Sequence, residues 1–285
     1  MPELPEVETV RGGLAPVLEG HRLTRVEARR PDLRFPLPEN FVQLLTGATV
    51  TRLERRAKYL LARLDREDTL VMHLGMSGRF EIAGARGADR PGEFHYAADP
   101  DPRHAHVVFE TDVGTKITYY DPRRFGYMAL VNTATMDLHP WFAGLGPEPL
   151  SDAFDGDHLW TRSRGRAAAV KLFLMDQAIV GGVGNIYASE ALFAAGIHPK
   201  RAAGSVSRER YARLAAEVKR ILAYAIRRGG TTLRDFISPD GTPGYFEQEL
   251  AVYGRAGEPC RVCGTPIRAS VIGQRSTFHC PRCQR

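Results

Sequence analysis

All four cysteines of this 285-residue chain lie in its last twenty-six residues, as Cys260-x-x-Cys263 and, after a gap of sixteen residues, Cys280-x-x-Cys283. A C-x2-C pair brings two thiolates close enough to fill two corners of a tetrahedron, and a second pair across a hairpin supplies the other two. Gly264, directly after Cys263, suits a knuckle turn that needs positive φ. The spacing is that of a zinc ribbon holding one structural Zn2+; redox pairs and chance thiols are the alternatives. Four protein ligands leave no open coordination position, so such a metal cannot activate water and any chemistry must lie elsewhere. Secreted disulfide frameworks scatter their cysteines, and a thioredoxin-like site needs one CxxC beside a βαβ unit; neither matches.

Charge is distributed unevenly. The net charge is +6, but residues 1–150 hold 19 Lys+Arg against 21 Asp+Glu, whereas residues 151–285 hold 20 against 12. Around the cysteines stand Arg255, Arg261, Arg268, Arg275, Arg282 and Arg285, with Glu258 the only acid from 255 onward. This asymmetry points to a polyanion met mainly by the second half, a solvated surface being the plainer reading. No apolar run reaches the roughly 18 residues that span a bilayer, and the first thirty residues carry acids where a signal peptide would be basic and then apolar. The expectation is a cytoplasmic protein with no membrane partner.

The length makes two domains the default expectation. Val7, Val10, Leu14 and Val17 recur at helical spacing, with Gly12-Gly13 weakening the helix. Short runs of β character follow at 49–53, 59–64, 69–74, 79–82, 106–110, 116–120 and 127–131, which predicts a sandwich or barrel. Residues 83–103, rich in Gly, Pro and Asp, read as an exposed loop. Pro140, Gly144, Gly146, Pro147 and Pro149 mark a linker over 135–150. Helical patterns then appear at 167–177 and 186–195, joined by a glycine-rich turn. A longer helix follows in which Ser207 caps a face of Tyr211, Leu214, Val218, Ile221, Leu222 and Ala225, and Gly229-Gly230 ends it.

The other end of the chain reads Met1-Pro2-Glu3-Leu4-Pro5-Glu6. Methionine before proline is normally trimmed, which exposes Pro2 as a secondary amine. An α-amino group has a pKa near 8, so roughly a quarter is neutral at about pH 7.5, against on the order of 0.1% for lysine. Attack of a secondary amine on a sugar C1′ gives an iminium that is cationic without further protonation and acidifies the C2′ protons. Glu3 stands ready to protonate the opening sugar. The plainer reading of Glu3 and Glu6 is that they complement a helix dipole, and of Pro2 that it is a start-site residue.

The string MPELPEVETV resembles the start of the formamidopyrimidine-DNA glycosylases, and further segments match that family in order: residues 56–60, His73-Leu74-Gly75-Met76-Ser77-Gly78, Asp121-Pro122-Arg123-Arg124-Phe125-Gly126, residues 181–190, Gly229 to Leu233, and the ribbon. The resemblance spans essentially the whole chain. It implies an α+β multidomain protein: an N-terminal helix on a β-sandwich (1–134), a linker (135–150), a helix-two-turn-helix domain (151–247) and a four-cysteine zinc ribbon (248–285), with DNA between the halves. It implies base-excision repair of oxidised purines such as 8-oxoguanine, with Pro2 as Schiff-base nucleophile, Glu3 as proton donor, Lys58 as donor in β-elimination and Arg275 assisting δ-elimination. His104, Arg123 and Arg166 match DNA-contact positions, and Lys171 and Asn185 positions near the nicked strand's phosphates or the lesion. Without the resemblance, Lys58 reads as a solvated strand residue and Asn185 as a helix cap. An enzyme acting on a base must extrude it at a cost of a few kcal/mol and fill the hole. In the family a Met, an Arg and a Phe do so, which implies Met76, Arg123 and Phe125; taken alone, Met76 and Phe125 read as core.

Residues 231–246 resemble the family's lesion-covering loop. Three features depart from the pattern: Gly12 where arginine is frequent, Gly165-Arg166-Ala167 where lysines cluster, and the long stretch 83–103. The partner implied is damaged double-stranded DNA at the nucleoid, met by a monomer without a nucleotide cofactor. The rivals are the endonuclease VIII branch, which prefers oxidised pyrimidines, an inactive DNA-binding relative, and an RNA-binding ribbon protein. A panel of damaged duplexes separates the first, and the state of the Pro2 amine the second; the third gives the N-terminal string no role.

Overall fold

The computed structural model describes residues 2–84, 101–230 and 249–285, and the backbone of 87–89. The chain divides into two compact units, Met1–Ala143 with Arg228–Glu247, and Gly144–Arg227 with Gln248–Arg285. The proposed lesion-covering loop, 231–246, lies outside the described residues, as does most of 83–103.

The first unit opens with α1 (Leu4–Leu18). Leu4, Val7, Val10, Leu14 and Leu18 are buried at spacings of three and four, so the apolar stripe ends on Leu18 and not on the expected Val17, which is only partly buried. Gly12 faces open space, where a missing side chain costs helix propensity but no packing. Pro5 sits in the first turn, where an amide hydrogen has no helical acceptor to lose.

Two antiparallel sheets follow. One runs in the order β1 (Leu23–Ala28), β7 (Ala105–Thr111), β8 (Lys116–Tyr120), β5 (Arg79–Gly84) and β6 (Gly87–Asp89); the other in the order β2 (Val50–Arg56), β3 (Tyr59–Leu64), β4 (Asp68–His73) and β9 (Tyr127–Asn132). Their inner faces share one core with α1, including Val26, Leu53, Leu60, Met72, Phe109 and Ile117. Seven of the nine strands coincide with the β runs read from the sequence. The exceptions are β1, read only as part of a β-rich region, and β6, which falls in the stretch read wholly as loop. The short α2 (Phe41–Leu45) also interrupts that region, burying Phe41 and Leu45. A five-residue helix carries too little periodicity to be told from a strand.

In the second unit, α3 (Gly156–Ser163) has no counterpart in the sequence reading; its N-cap Asp155 accepts the His158 N–H at 2.7 Å. Helix α4 (Val170–Met175) is shorter than the 167–177 pattern, and α5 (Asn185–Ala194) is buried on nearly every face. The amphipathic α6 (Arg208–Arg227) buries the face read from the sequence, and the Ser207 hydroxyl accepts the Arg210 N–H at 3.3 Å. The chain then forms a hairpin of β10 (Arg268–Ile272) and β11 (Arg275–His279). Its turn residues Gly273 and Gln274 have φ of 55° and 60°, the pairing a tight two-residue turn demands. Among the described residues no helix is long and apolar enough to cross a membrane.

Candidate active site and nucleic-acid interface

Pro2 is buried immediately before Glu3, the N-cap of α1. Glu3 is 2% exposed, and its own N–H donates to the Glu6 carboxylate at 2.9 Å. This capping box settles the role of Glu6: it fixes the backbone of Glu3. Gly230, at φ 91°, presses on the same carboxylate, since a Cβ there would stand 3.0 Å from Glu6 Oε1.

Lys58 occupies the tip of the β2–β3 hairpin after Ala57, which adopts φ 50°. It is 8% exposed, so the plain reading of a solvated strand residue does not hold. Its charge is felt at His73. Burial, then Lys58, then Arg34 lower the His73 pKa from 6.5 to about 3, so the imidazole is neutral near pH 7. Its Nδ1 accepts the Gly75 N–H at 3.0 Å, which places the ring proton on Nε2. His73 stacks on Tyr127 with ring centroids 4.7 Å apart, and the Tyr127 hydroxyl donates to the Tyr59 hydroxyl at 3.0 Å. Burial raises both tyrosine pKa values.

Met76 follows β4 in a half-buried position, and Arg123 and Phe125 stand exposed in the loop before β9. Phe125 is 40% exposed, which overturns the reading of it as core. The Arg123 guanidinium lies 4.8 Å from the centre of the Phe125 ring, so the two form one cationic, aromatic tip. His104 is partly buried just ahead of β7, and its carbonyl accepts the Asp121 N–H at 3.0 Å.

In the second unit three of the named residues converge. Arg275 is exposed at the first position of β11. The adjacent Ser276 carbonyl accepts from Lys171 Nζ at 3.0 Å and from Asn185 Nδ2 at 3.1 Å, and Lys171 also donates to Thr277 Oγ1 at 2.6 Å. Lys171 has no solvent exposure. Lys171, expected near the nicked strand's phosphates or the lesion, is thus enclosed here and fixes the hairpin that presents Arg275. Nor is Asn185 a cap, since Gly184 holds that position and the amide is turned to the hairpin and to the Tyr253 hydroxyl at 3.4 Å. The Arg166 guanidinium stands 3.8 Å from Asp176 and 5.7 Å from the Phe173 ring centre.

Sequence reasoning passed over Tyr253 and Glu190. Glu190 accepts the N–H groups of Ala251, Val252 and Tyr253 at 2.8, 3.0 and 2.8 Å, which holds Tyr253 beside Asn185. A glutamate inside an apolar helix was the available signal, because a buried carboxylate needs donors.

The four thiols of Cys260, Cys263, Cys280 and Cys283 lie within 4.8 Å of one another. Separations of 3.9 Å for Cys260–Cys283 and 3.5 Å for Cys263–Cys280 bracket the ~3.8 Å edge of a tetrahedron with Zn–S bonds of about 2.3 Å. The donor set fits a structural zinc and offers it no open position.

A helix-capped sandwich, a helical domain and a four-cysteine ribbon with exposed arginines define a DNA-glycosylase class of scaffold. Residues 1–128 match the formamidopyrimidine-DNA glycosylase N-terminal domain, 145–237 its H2TH domain, and 257–285 the zinc finger found in FPG and IleRS. The chain is 67% identical over 287 residues to a formamidopyrimidine-DNA glycosylase of Phenylobacterium zucineum, with all of both chains covered. It is similar to the MutM (Fpg) protein of Thermus thermophilus, at TM-score 0.84 and 38% identity over 99% of this chain and 98% of that one. It is also similar to Lactococcus lactis Fpg in a complex with DNA containing FAPY-dG, at TM-score 0.85 and 31% identity over 99% and 100% of the two chains. The chain belongs to the formamidopyrimidine-DNA glycosylase family.

Proposed function

We propose that this chain excises oxidised purines from duplex DNA and then cleaves the abasic strand. The observation that carries the reading is the buried Pro2–Glu3 pair, its backbone fixed by Glu6 at the start of α1. With Met1 removed, the Pro2 nitrogen attacks C1′ and the bond from C1′ to the base breaks. The departing base takes up a proton, and Glu3 protonates the sugar oxygen as the ring opens. The resulting iminium draws electrons from C2′; loss of a C2′ proton expels the 3′-phosphate, and loss of a second proton further along the sugar expels the 5′-phosphate. Lys58 moves a proton in the first elimination and Arg275 assists the second. Water then hydrolyses the iminium and restores the amine.

The remaining assignments support grip. His104, Arg123 and Arg166 meet the duplex, Asn185 borders the strand, and Met76, Arg123 and Phe125 fill the space left by the base. The boundaries 1–134, 135–150, 151–247 and 248–285 partition these roles in a monomer at the nucleoid that needs no nucleotide cofactor.

The test is borohydride trapping on a duplex containing 8-oxoguanine, with the adduct mapped by mass spectrometry. An adduct on Pro2, absent in Pro2→Gly, and loss of base release in Glu3→Gln are expected. An adduct on a lysine discards the nucleophile, and faster release of oxidised pyrimidines than of 8-oxoguanine moves the chain to the endonuclease VIII branch.

A further inference from the structure

Asp121 is a fully buried carboxylate whose three donors carry no charge. Its Oδ1 accepts the Ser77 hydroxyl at 2.5 Å, and its Oδ2 accepts the Gly126 N–H at 2.7 Å and the Tyr119 hydroxyl at 3.3 Å. Its backbone is held as well, the N–H donating to the His104 carbonyl at 3.0 Å and the carbonyl accepting from His106 Nε2 at 2.9 Å. Enclosing a carboxyl group away from water is costly, and an apolar side chain of similar size would suit stability better. The site is therefore explained by what the carboxylate holds together.

Ser77 follows Met76 and Gly126 follows Phe125. One carboxylate oxygen thus grips the loop carrying Met76, and the other grips the end of the loop carrying Arg123 and Phe125. The Ser77 oxygen closes the link by accepting the Arg123 N–H at 3.2 Å. Between the two loops there is no room for side chains. A Cβ on Gly75 would stand 2.3 Å from the Gly126 nitrogen, and one on Gly126 would stand 1.8 Å from the Tyr119 hydroxyl oxygen. Two backbones in contact, bridged by one carboxylate, form a single rigid mount.

We propose that Asp121 is a positioning residue for base extrusion: by binding Ser77 and Gly126 at once, it fixes Met76 to Arg123 and Phe125 so that the three enter the duplex as one wedge. This rests on the functional reading above. The chemistry at Pro2 does not need the mount once no base has to be extruded, so opening and strand cleavage become separable.

The experiment compares Asp121→Asn and Ser77→Ala with the unaltered protein. Asparagine keeps the shape but supplies one acceptor where two are used, and Ser77→Ala removes the bridge at the other end in case the first variant folds poorly. Three readouts are taken: fluorescence of 2-aminopurine beside 8-oxoguanine, single-turnover excision from that duplex, and cleavage of a single-stranded oligonucleotide with a preformed abasic site. Opening and excision are expected to slow by about tenfold or more, equivalent to about 1.4 kcal/mol. Abasic cleavage in the single strand should fall by less than about threefold, near 0.7 kcal/mol. Parallel losses in all three, or no loss in either variant, would overturn the proposal. If the unaltered protein opens the duplex without cutting it, the functional reading fails, and the 2-aminopurine signal still decides the role of Asp121.

Discussion

Acid should destabilise the first unit chiefly through one imidazole, with His106, its pKa also lowered by burial, adding to it. His73 has its pKa lowered from 6.5 to about 3, with burial the leading cause and the charges of Lys58 and Arg34 adding to it. Between these values the unfolded chain binds a proton that the folded one refuses, so stability present above about pH 6.5 is lost as the pH falls toward about 3. Near pH 5 the unfolded imidazole lies about 1.5 units below its pKa, which corresponds to about 2 kcal/mol relative to pH 7.5. His73→Gln keeps an acceptor for the Gly75 N–H and removes the titration. The chain has two tryptophans, so a Trp160→Phe background leaves Trp141, with its ring centre 4.6 Å from that of Tyr127, to report on this cluster. Urea unfolding followed by its fluorescence at the two pH values gives the stability lost by each protein. Acid also strips metal from cysteine ligands, but that loss falls equally on both and cancels in the difference. The reasoning is refuted if the two proteins lose the same stability to within about 0.5 kcal/mol, since the linked proton would then be absent.

Lys171→Met should cost about 1–3 kcal/mol by removing the buried donor shared by the Ser276 carbonyl and the Thr277 hydroxyl, measured by chemical denaturation, with zinc content unchanged. Gly75→Ala should cost about 3 kcal/mol or more, because φ 62° disfavours a Cβ and the Gly126 backbone leaves no space for it; soluble yield and melting temperature check this. Phe125→Ala should cost less than about 1 kcal/mol of stability, its ring being exposed, while excision from a duplex slows.

The parts of the fold readable in the sequence were those written in periodic burial. The face of α6 and most strands repeat over enough residues for the period to stand out. Helices α2 and α3 are too short for that. The ribbon was readable because coordination geometry is local, fixing two residues between paired ligands. For the site, family likeness names a set of candidate residues but says nothing of their environments. Nothing in the string around Lys171 says that it is enclosed, and nothing in Asp121 says that it is buried among uncharged donors. Burial of a charge is decided by partners distant in sequence, such as Thr277 for Lys171 and Ser77 for Asp121.

The hairpin that carries Arg275 has two anchorages of different chemistry. At one end it runs into the thiolates, which acid, chelators and oxidants attack. At the other, Lys171 and Asn185 grasp the Ser276 carbonyl, and Leu172 sits against Gly273, where a Cβ would come within 2.5 Å of its Cδ2. None of those contacts involves sulfur. What holds the turn and its arginine is thus chemically independent of what holds the metal end.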